Sequence, residues 1–552
     1  MTPITDEKSP DHSDRQDQTA TPDHNSDEVD KSRDSSISQA VPKLLTGFSL
    51  YCILVALILT IFLGSLDMTI VATAIPKITD DFKSLDQASW YGSAFFMANG
   101  GFQSSWGKAY KYFSLKATFL IALFIFELGS LICAVAPDSN TLIFGRAING
   151  LGGAGIGTGT YTIVAVISSP AKRPTYTGII GMSYGIAAVA GPLIGGVFSD
   201  KVTWRWCFYI NLPLGGVAAA IIVFFFRPKG VEPAPVTLTE KILQLDLPGV
   251  AVLIGAITSC LLALEYSGQS KSWGSSTVIG LLVGVVLITA LFFVWEHYQG
   301  ERAMVVSRII TKRPVGVSAI FTFFFGGSYF LTIYYLPMYF QGVKGASPSM
   351  SGVMSLPLIL SVTIAMMLSG LFITATGRAA LSATTGAIIG TIGAGLLYTL
   401  ATKSSAGEWI GYQIVAGLGW GVALQVPIMM VQASVAPEDL ASTTSVILLC
   451  QCLGGCLYVG AAQTAFLNTM IHKLSILAPD INLTKVIATG YTAIRDVYSS
   501  AELPSIIASY MAGIKVSLAL SIAGCGLASL VSVFNDRRVL SKDAIKEVSA
   551  VA

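Results

Sequence analysis

After a polar start, this chain is a succession of apolar stretches about 20 residues long, the length a helix needs to cross the hydrocarbon of a bilayer. Fourteen can be read, centred near residues 60, 99, 126, 154, 187, 216, 256, 287, 327, 362, 391, 421, 453 and 523. Inside lipid the backbone must satisfy its own hydrogen bonds, so segments of this length are expected as helices. Only 12% of the 552 residues are charged, half the share usual in soluble domains, which excludes an ordinary water-soluble enzyme. A net charge of +2 without a basic tract excludes a nucleic-acid surface.

Residues 1–47 are rich in Asp, Ser, Thr and Lys and carry almost no large apolar side chain. Such a segment cannot bury a core, so a disordered tail is expected. It lacks the early apolar run of a signal peptide, and the first apolar stretch, near Phe48, reads as a signal-anchor. An even number of spans puts both ends on one side. With that side cytoplasmic, the inner loops carry most of the Lys and Arg, among them Lys108, Lys111, Lys116, Lys172, Arg173, Arg308, Lys312, Arg313 and Arg378. That is the positive-inside bias. The same orientation places the acceptor Asn482-Leu483-Thr484 outside, where glycosylation can occur.

The chain also repeats itself. Asn149–Gly155 (NGLGGAG) and Ala416–Val422 (AGLGWGV) occupy the fourth span of two six-span blocks, once the seventh and eighth spans are set aside. Pro76 and Pro337 are expected to end the first span of each block. Weak parallel repeats of this kind mark transporters built from two halves around a central cavity. The expected organisation is a cytoplasmic tail (1–47), an N-terminal six-helix bundle (48–227), two linker helices (228–300), a C-terminal six-helix bundle (301–535) with a long outer loop (467–510), and a cytoplasmic tail (536–552).

The stretch SYGIAAVAGPLIGGVFSD (183–200) holds Gly185, Gly191, Pro192, Gly195 and Gly196. In water these residues weaken a helix. In lipid, helices associate through close packing of small residues, so they make a groove for a neighbouring helix, with Pro192 expected to bend the span. With Gly178, they resemble motif C of the drug:proton antiporters of the major facilitator superfamily. Leu66–Pro76 (LDMTIVATAIP) resembles the first-span signature of the 14-span branch. Leu142–Ala154 (LIFGRAINGLGGA) resembles motif B, and Trp204–Gly216 (WRWCFYINLPLGG) resembles the start of span 6. Motif A departs: Gly107–Lys116 (GKAYKYFSLK) has Lys111 where the family carries Asp, so the family's acidic latch cannot operate in its usual form. The resemblance covers nearly the whole chain after the tail and is greatest to fungal toxin and multidrug efflux pumps. It implies a 14-helix major facilitator fold (6 + 2 + 6) at the plasma membrane, the vacuolar membrane being the alternative.

Charges at mid-bilayer cost about 3 kcal/mol on insertion scales, and few occur here. Asp67, Glu127 and Arg146 are the candidates for proton coupling, the Arg by tuning a carboxylate or holding a carbonyl because it does not readily lose its own proton. For Asp67, capping a broken helix near Thr69 is the competing role. The repeat pairs Arg146 with Gln413 and Asp67 with Ser328, so only the first half is charged. Glu265, Glu296 and Lys515 are expected at the interface. Tyr91, Phe95, Asn99 and Gln103 recur every four residues and share one helix face. With Phe325, Tyr329, Trp420 and Gln425 they are the candidate substrate contacts for a large, mostly apolar ligand. No nucleotide-binding loop, metal cluster or nucleophile elbow is present, and the eight cysteines read as small buried thiols.

The function expected is therefore a non-enzymatic, monomeric carrier needing no cofactor. It would export a hydrophobic small molecule in exchange for protons and contact only substrate, protons and lipid. A siderophore-like uptake carrier and a non-transporting sensor are the alternatives. In a glycosylating host, removal of N-glycans should speed the full-length protein on a denaturing gel, and Asn482→Gln should abolish that shift. A wild type unaffected by the glycosidase would place Asn482 on the other side or leave it unused.

Overall fold

The structure, a computed structural model, describes residues 47–82, 88–169, 171–228, 236–269, 271–483, 485–486 and 494–535. The tails and Thr484 of the glycosylation motif lie outside the described residues, and so does the side chain of Pro192. Among the described residues, fourteen helices are 15 residues or longer. They are α1 (Phe48–Phe82), α2 (Ala88–Tyr112), α3 (Leu115–Val135), α4 (Ser139–Ile167), α5 (Arg173–Lys201), α6 (Asn211–Phe225), α7 (Leu247–Gln269), α8 (Ser276–Gln299), α9 (Arg313–Met338), α10 (Leu356–Thr376), α11 (Ala379–Thr399), α12 (Ala406–Ala423), α13 (Leu440–Leu477) and α14 (Leu503–Ser532). Among the described residues, twelve helices are both long and apolar enough to cross a membrane. The multi-pass, all-helical architecture is plain.

Four helix boundaries differ from the sequence reading. α1 runs on past Pro76 to Phe82, because a proline near a helix end forfeits one backbone bond that neighbouring helices make tolerable. Pro337 likewise lies inside α9, followed by a single π turn at Tyr339–Val343. The outer loop expected over 467–510 is shorter, since α13 continues to Leu477 and α14 begins at Leu503.

The helices pack as two sets. In the first, α3 lies on α4, α2 on α4, and α1 on α5 and α6; in the second, α9 lies on α13 and α14, and α11 on α12 and α14. Two seams join the sets, α5 against α10 and α2 against α13. α7 packs on α8 and reaches across to α2 and α13. α8 has a largely exposed apolar surface, including Leu287 and Phe293, as expected of a lipid-facing helix.

Small residues set the closest approaches. A Cβ at Gly178 would stand 2.9 Å from the Met366 carbonyl oxygen of α10, and one at Gly185 would collide with Thr363 of the same helix. One at Gly191 would collide with Thr69 of α1, whereas Gly196 has open space around it. The glycine-rich α5 therefore serves two interfaces, the seam through Gly178 and Gly185 and the first set's interior through Gly191. The helix runs unbroken through Pro192 and Gly195.

At one end an apolar core crosses between the sets, joining Phe119, Tyr161 and Ile167 to Ile309, Val315, Val431 and Ala441. Charges ring it there. Asp439, at the start of α13, accepts from Lys111 Nζ at 3.0 Å and from Arg308 Nη1 at 2.9 Å. These contacts hold the Arg308 guanidinium above its ordinary pKa. In the second set, α11 and α12 cross so closely that a Cβ on Gly419 would collide with the Gly390 backbone, whereas Gly395 faces open space. Gly419→Val should therefore cost about 1–3 kcal/mol through overpacking, and Gly395→Ala should stabilise by up to about 1 kcal/mol through helix propensity. Thermal unfolding in detergent checks both.

Candidate functional site

The polar centre of the first set grows from α4. Its N-terminus is capped by Asp138, whose carboxylate accepts from the Thr141 amide at 2.9 Å. Two helical turns on, Arg146 faces inward, 1% exposed. It forms an ion pair with Asp67 of α1, itself fully buried. Its Nε donates to the Tyr91 carbonyl at 2.8 Å, and its guanidinium lies 4.7 Å from the Phe95 ring centre and 5.9 Å from that of Phe208. The arginine thus both pairs with a carboxylate and holds a carbonyl. α1 is helical through Asp67, and Thr69 bonds the carbonyls of Ser65, Leu66 and Ala187. Asp67 is not a helix cap; the nearby guanidinium is the stronger partner for a buried carboxylate.

Neutral amides extend the network. Asn211, the first residue of α6, donates to Asp67 Oδ1 at 3.3 Å and to Ser130 Oγ at 3.0 Å. Asn149 donates to the same hydroxyl at 2.7 Å. Asn211 falls within the span 6 motif, where its sequence signal is one amide in a largely apolar run. Glu127 of α3 is different. Both its oxygens are buried and neither has a hydrogen-bond partner among the described residues. Its carboxyl fills the space left by Gly215 of α6, where a Cβ would collide with it.

The second set holds the uncharged counterpart. Ser328 Oγ lies 2.7 Å from Ser521 Oγ and 3.0 Å from Cys525 Sγ, and Thr332 Oγ1 lies 2.9 Å from Ser521 Oγ. Gln413 donates to the Met354 and Trp409 carbonyls at 3.0 Å each. The same places in the two sets therefore carry an ion pair in one and hydroxyls and an amide in the other.

Two adjoining chambers lie between the sets. The smaller, about 70 Å³, is lined by Phe95, Asn99, Gln103, Tyr329 and Gln425, with Phe330 and Cys452. The larger, about 370 Å³, has Arg146 in its wall with Phe330, Tyr334, Cys456 and Gln463. Three sequence candidates line neither. Tyr91 bonds Ser139 Oγ at 2.7 Å, Phe325 stacks on Phe321 at 5.1 Å, and Trp420 packs on Tyr329 at 6.1 Å. Their rings fill helix contacts instead. Glu296, expected at the interface, is 6% exposed and accepts from the Met304 and Val305 amides at 3.3 and 2.8 Å. The turn after α8 folds back over it, which local sequence could not show. Lys515 lies 5.6 Å from the Tyr398 ring centre. Asn482 is exposed, its Oδ1 accepting from the Lys485 amide at 3.1 Å.

Helices in two parallel sets with chambers between them are the architecture of a known family, and its profile, the Major Facilitator Superfamily, matches residues 57–459. The chain belongs to that superfamily. Its members are transporters rather than enzymes. Similar curated proteins include the MFS-type transporter grgE of a Penicillium species, 51% identical over 507 residues covering 92% of this chain and 90% of that one. The probable efflux pump gsfJ of Penicillium aethiopicum is 46% identical over 505 residues, 91% and 90% of the two chains. Among solved structures, the human organic anion transporter MFSD10 (TETRAN) superposes with a TM-score of 0.57 at 12% identity, over 88% of this chain and all of that one. The proton:xylose symporter XylE superposes with a TM-score of 0.54 at 11% identity, over 89% and 98%. These likenesses concern the fold.

Removing one member of a buried pair strands the other charge. Arg146→Ala should lose about 3–5 kcal/mol of stability. The double variant Asp67→Asn/Arg146→Gln should recover more than half of that loss, measured as thermal unfolding in detergent. Additive losses in the double variant would sink the coupling.

Proposed function

We propose that this protein exports a hydrophobic small molecule from the cell in exchange for protons. The observation that carries the reading is the charge asymmetry among the described residues: a buried Asp67–Arg146 pair and a Glu127 carboxyl with no hydrogen-bond partner lie in the first set, beside chambers with largely apolar walls. Ionisable groups inside a membrane are costly, and where they occur they mark ion or substrate pathways. Arg146 borders the larger chamber, so a ligand there and the state of the Asp67 carboxylate are in electrical contact. Glu127 is the carboxyl that can bind and release a proton with little structural change, and Asp67 is the one that responds when Arg146 is drawn toward substrate. Phe95, Asn99, Gln103, Tyr329 and Gln425 supply an apolar, hydrogen-bonding lining for the ligand.

Export follows the names of the relatives, several of which are efflux pumps of fungi. We read fourteen spans, 6 + 2 + 6, with bundles at 48–227 and 301–535 and linker helices between. α2 is less apolar because it faces a seam and the chambers rather than lipid. With the tails cytoplasmic, the Lys111–Asp439–Arg308 cluster closes the inner end, and the motif C glycines Gly178 and Gly185 let α5 slide on α10 as the sets rock. The protein works as a monomer at the plasma membrane, with Asn482 on the outer side.

The test is retention of rhodamine 6G and a set of fungal metabolites in cells expressing the wild type, Arg146→Ala or Glu127→Gln, with and without a protonophore. Wild type should lower retention, the protonophore should abolish the effect, and Glu127→Gln should weaken it roughly tenfold, a typical coupling between two sites. Raised retention would make the protein an uptake carrier. Correctly inserted protein that moves none of the panel would favour a sensor.

A further inference from the structure

The two chambers share three wall residues, Met68, Phe330 and Cys452, and meet there. α1 runs along both. Its Ile61, Gly64 and Met68 line the smaller chamber, and its Met68, Val71 and Ile75 line the larger. Steps of three and four residues keep these positions on one helix face, and Gly64 alone of the five has no side chain. On α2, Gly92 and Phe96 stand one turn apart and both line the larger chamber. A Cβ at Gly64 or at Gly92 would meet nothing within 4 Å. Glycine weakens a helix interior. At Gly178 and Gly419 a close helix crossing explains the residue, but no neighbour explains Gly64 or Gly92. What these two keep clear is chamber volume. The linker helix α7 completes the larger chamber with Leu261, Leu264 and Glu265, the last of which sequence alone places at the membrane interface.

We propose that the chambers form one two-part site, the larger for a rigid apolar ring system and the smaller for a slender, uncharged, hydrogen-bonding arm. Gly64 and Gly92 set the room for arm and rings. The sizes differ as this requires. The larger, about 370 Å³, lies in the range of pockets for drug-sized ligands, about 300–1,000 Å³. A buried water needs about 10–15 Å³, so the smaller, about 70 Å³, holds a chain of a few atoms and no fused ring system. The walls differ too. Phe96, Phe330, Tyr334, Leu261 and Val459 give the larger chamber ring faces and aliphatic surface. Among the described residues no charged side chain lines the smaller one, where the amides of Asn99, Gln103, Gln425 and Gln451 gather. An amide both donates and accepts. Gln425 is 5% exposed, and its Oε1 has no hydrogen-bond partner among the described residues, so a hydroxyl on the arm finds an acceptor there. The inference deepens the transport reading and rests on it for the site's purpose, but it concerns binding, so the two can fail separately.

The experiment is equilibrium binding to the purified full-length protein by fluorescence polarisation. The two probes are Nile red, a fused-ring dye, and Nile red carrying a 3-hydroxypropoxy arm at its 2-position. The wild type should bind the armed dye about fivefold more tightly, the gain of one hydrogen bond. Gly64→Leu, which fills the smaller chamber, should erase that gain and leave the bare dye within about twofold. Gly92→Leu, which fills the larger chamber, should weaken both dyes about tenfold or more. Leu287→Trp on the lipid face of α8 is the control and should change neither. Gly64→Ala and Gly92→Ala should unfold at no lower a temperature than the wild type, since alanine is the better helix former and meets no neighbour here. Should a leucine variant not fold, its alanine counterpart takes its place, with a smaller effect in the same direction. A folded wild type that binds neither dye, or binds the armed dye no more tightly, would overturn the proposal. So would folded Gly64→Leu that weakens both dyes equally or neither, or folded Gly92→Leu that binds both as the wild type does. Normal dye binding by a wild type that shows no efflux in cells would sink the export reading and leave the two-part site standing.

Discussion

The ion pair between Asp67 and Arg146 is the interaction around which the first helix set is organised. Two charges removed from water lose several kcal/mol of hydration each, and only near-complete satisfaction of their polar atoms repays this. The surroundings show how that is met: a carbonyl from α2, an amide from α6, a serine hydroxyl from α3 and two aromatic rings close around the pair. Five helices are thereby fixed in register by one charge pair. In the second set the same positions carry serine, threonine and glutamine, whose bonds are worth less individually and leave no charge exposed when they shift. The two sets share a fold, but among the described residues the fully buried ion pair lies in the first.

Without a hydrophobic force between helices in lipid, the sets are joined by shape. The seam of α5 on α10 depends on the absent side chains of Gly178 and Gly185, and Gly370 of α10 meets the Pro174 backbone at the same crossing. Such contacts hold by close packing with few bonds to break, which suits surfaces that slide. The polar tie of Thr175 to Thr374, at 2.8 Å, is weak enough to be exchanged for water.

The departure in motif A finds its physical resolution in the same terms. Lys111, where a carboxylate is usual in the family, meets a carboxylate supplied by the other set, and Arg308 shares it. An ion pair between the sets needs opposite charges on its two sides but not a particular assignment of sign. Reversing the polarity preserves the attraction, and Arg308 brings a second cation to the buried Asp439 carboxylate.

The all-helical membrane architecture and the few charges buried within it were legible in the sequence, because apolar length and charge frequency are local properties set by the solvent. Asp67, Glu127 and Arg146 stood out for the same reason. Tertiary structure alone decided which of them pair: that Asp67 meets Arg146 across 79 residues, that Glu127 lies against a glycine with no donor among the described residues, and that Glu296 caps a backbone turn. It also decided which aromatic faces line a chamber. The four-residue stripe of α2 placed Tyr91, Phe95, Asn99 and Gln103 on one side of a helix, but helix periodicity gives a face, not what that face meets. Tyr91 met the start of α4, while the other three border the smaller chamber. The part played by α7 was equally hidden, since an apolar helix facing lipid and one facing a chamber read alike until its neighbours are in place.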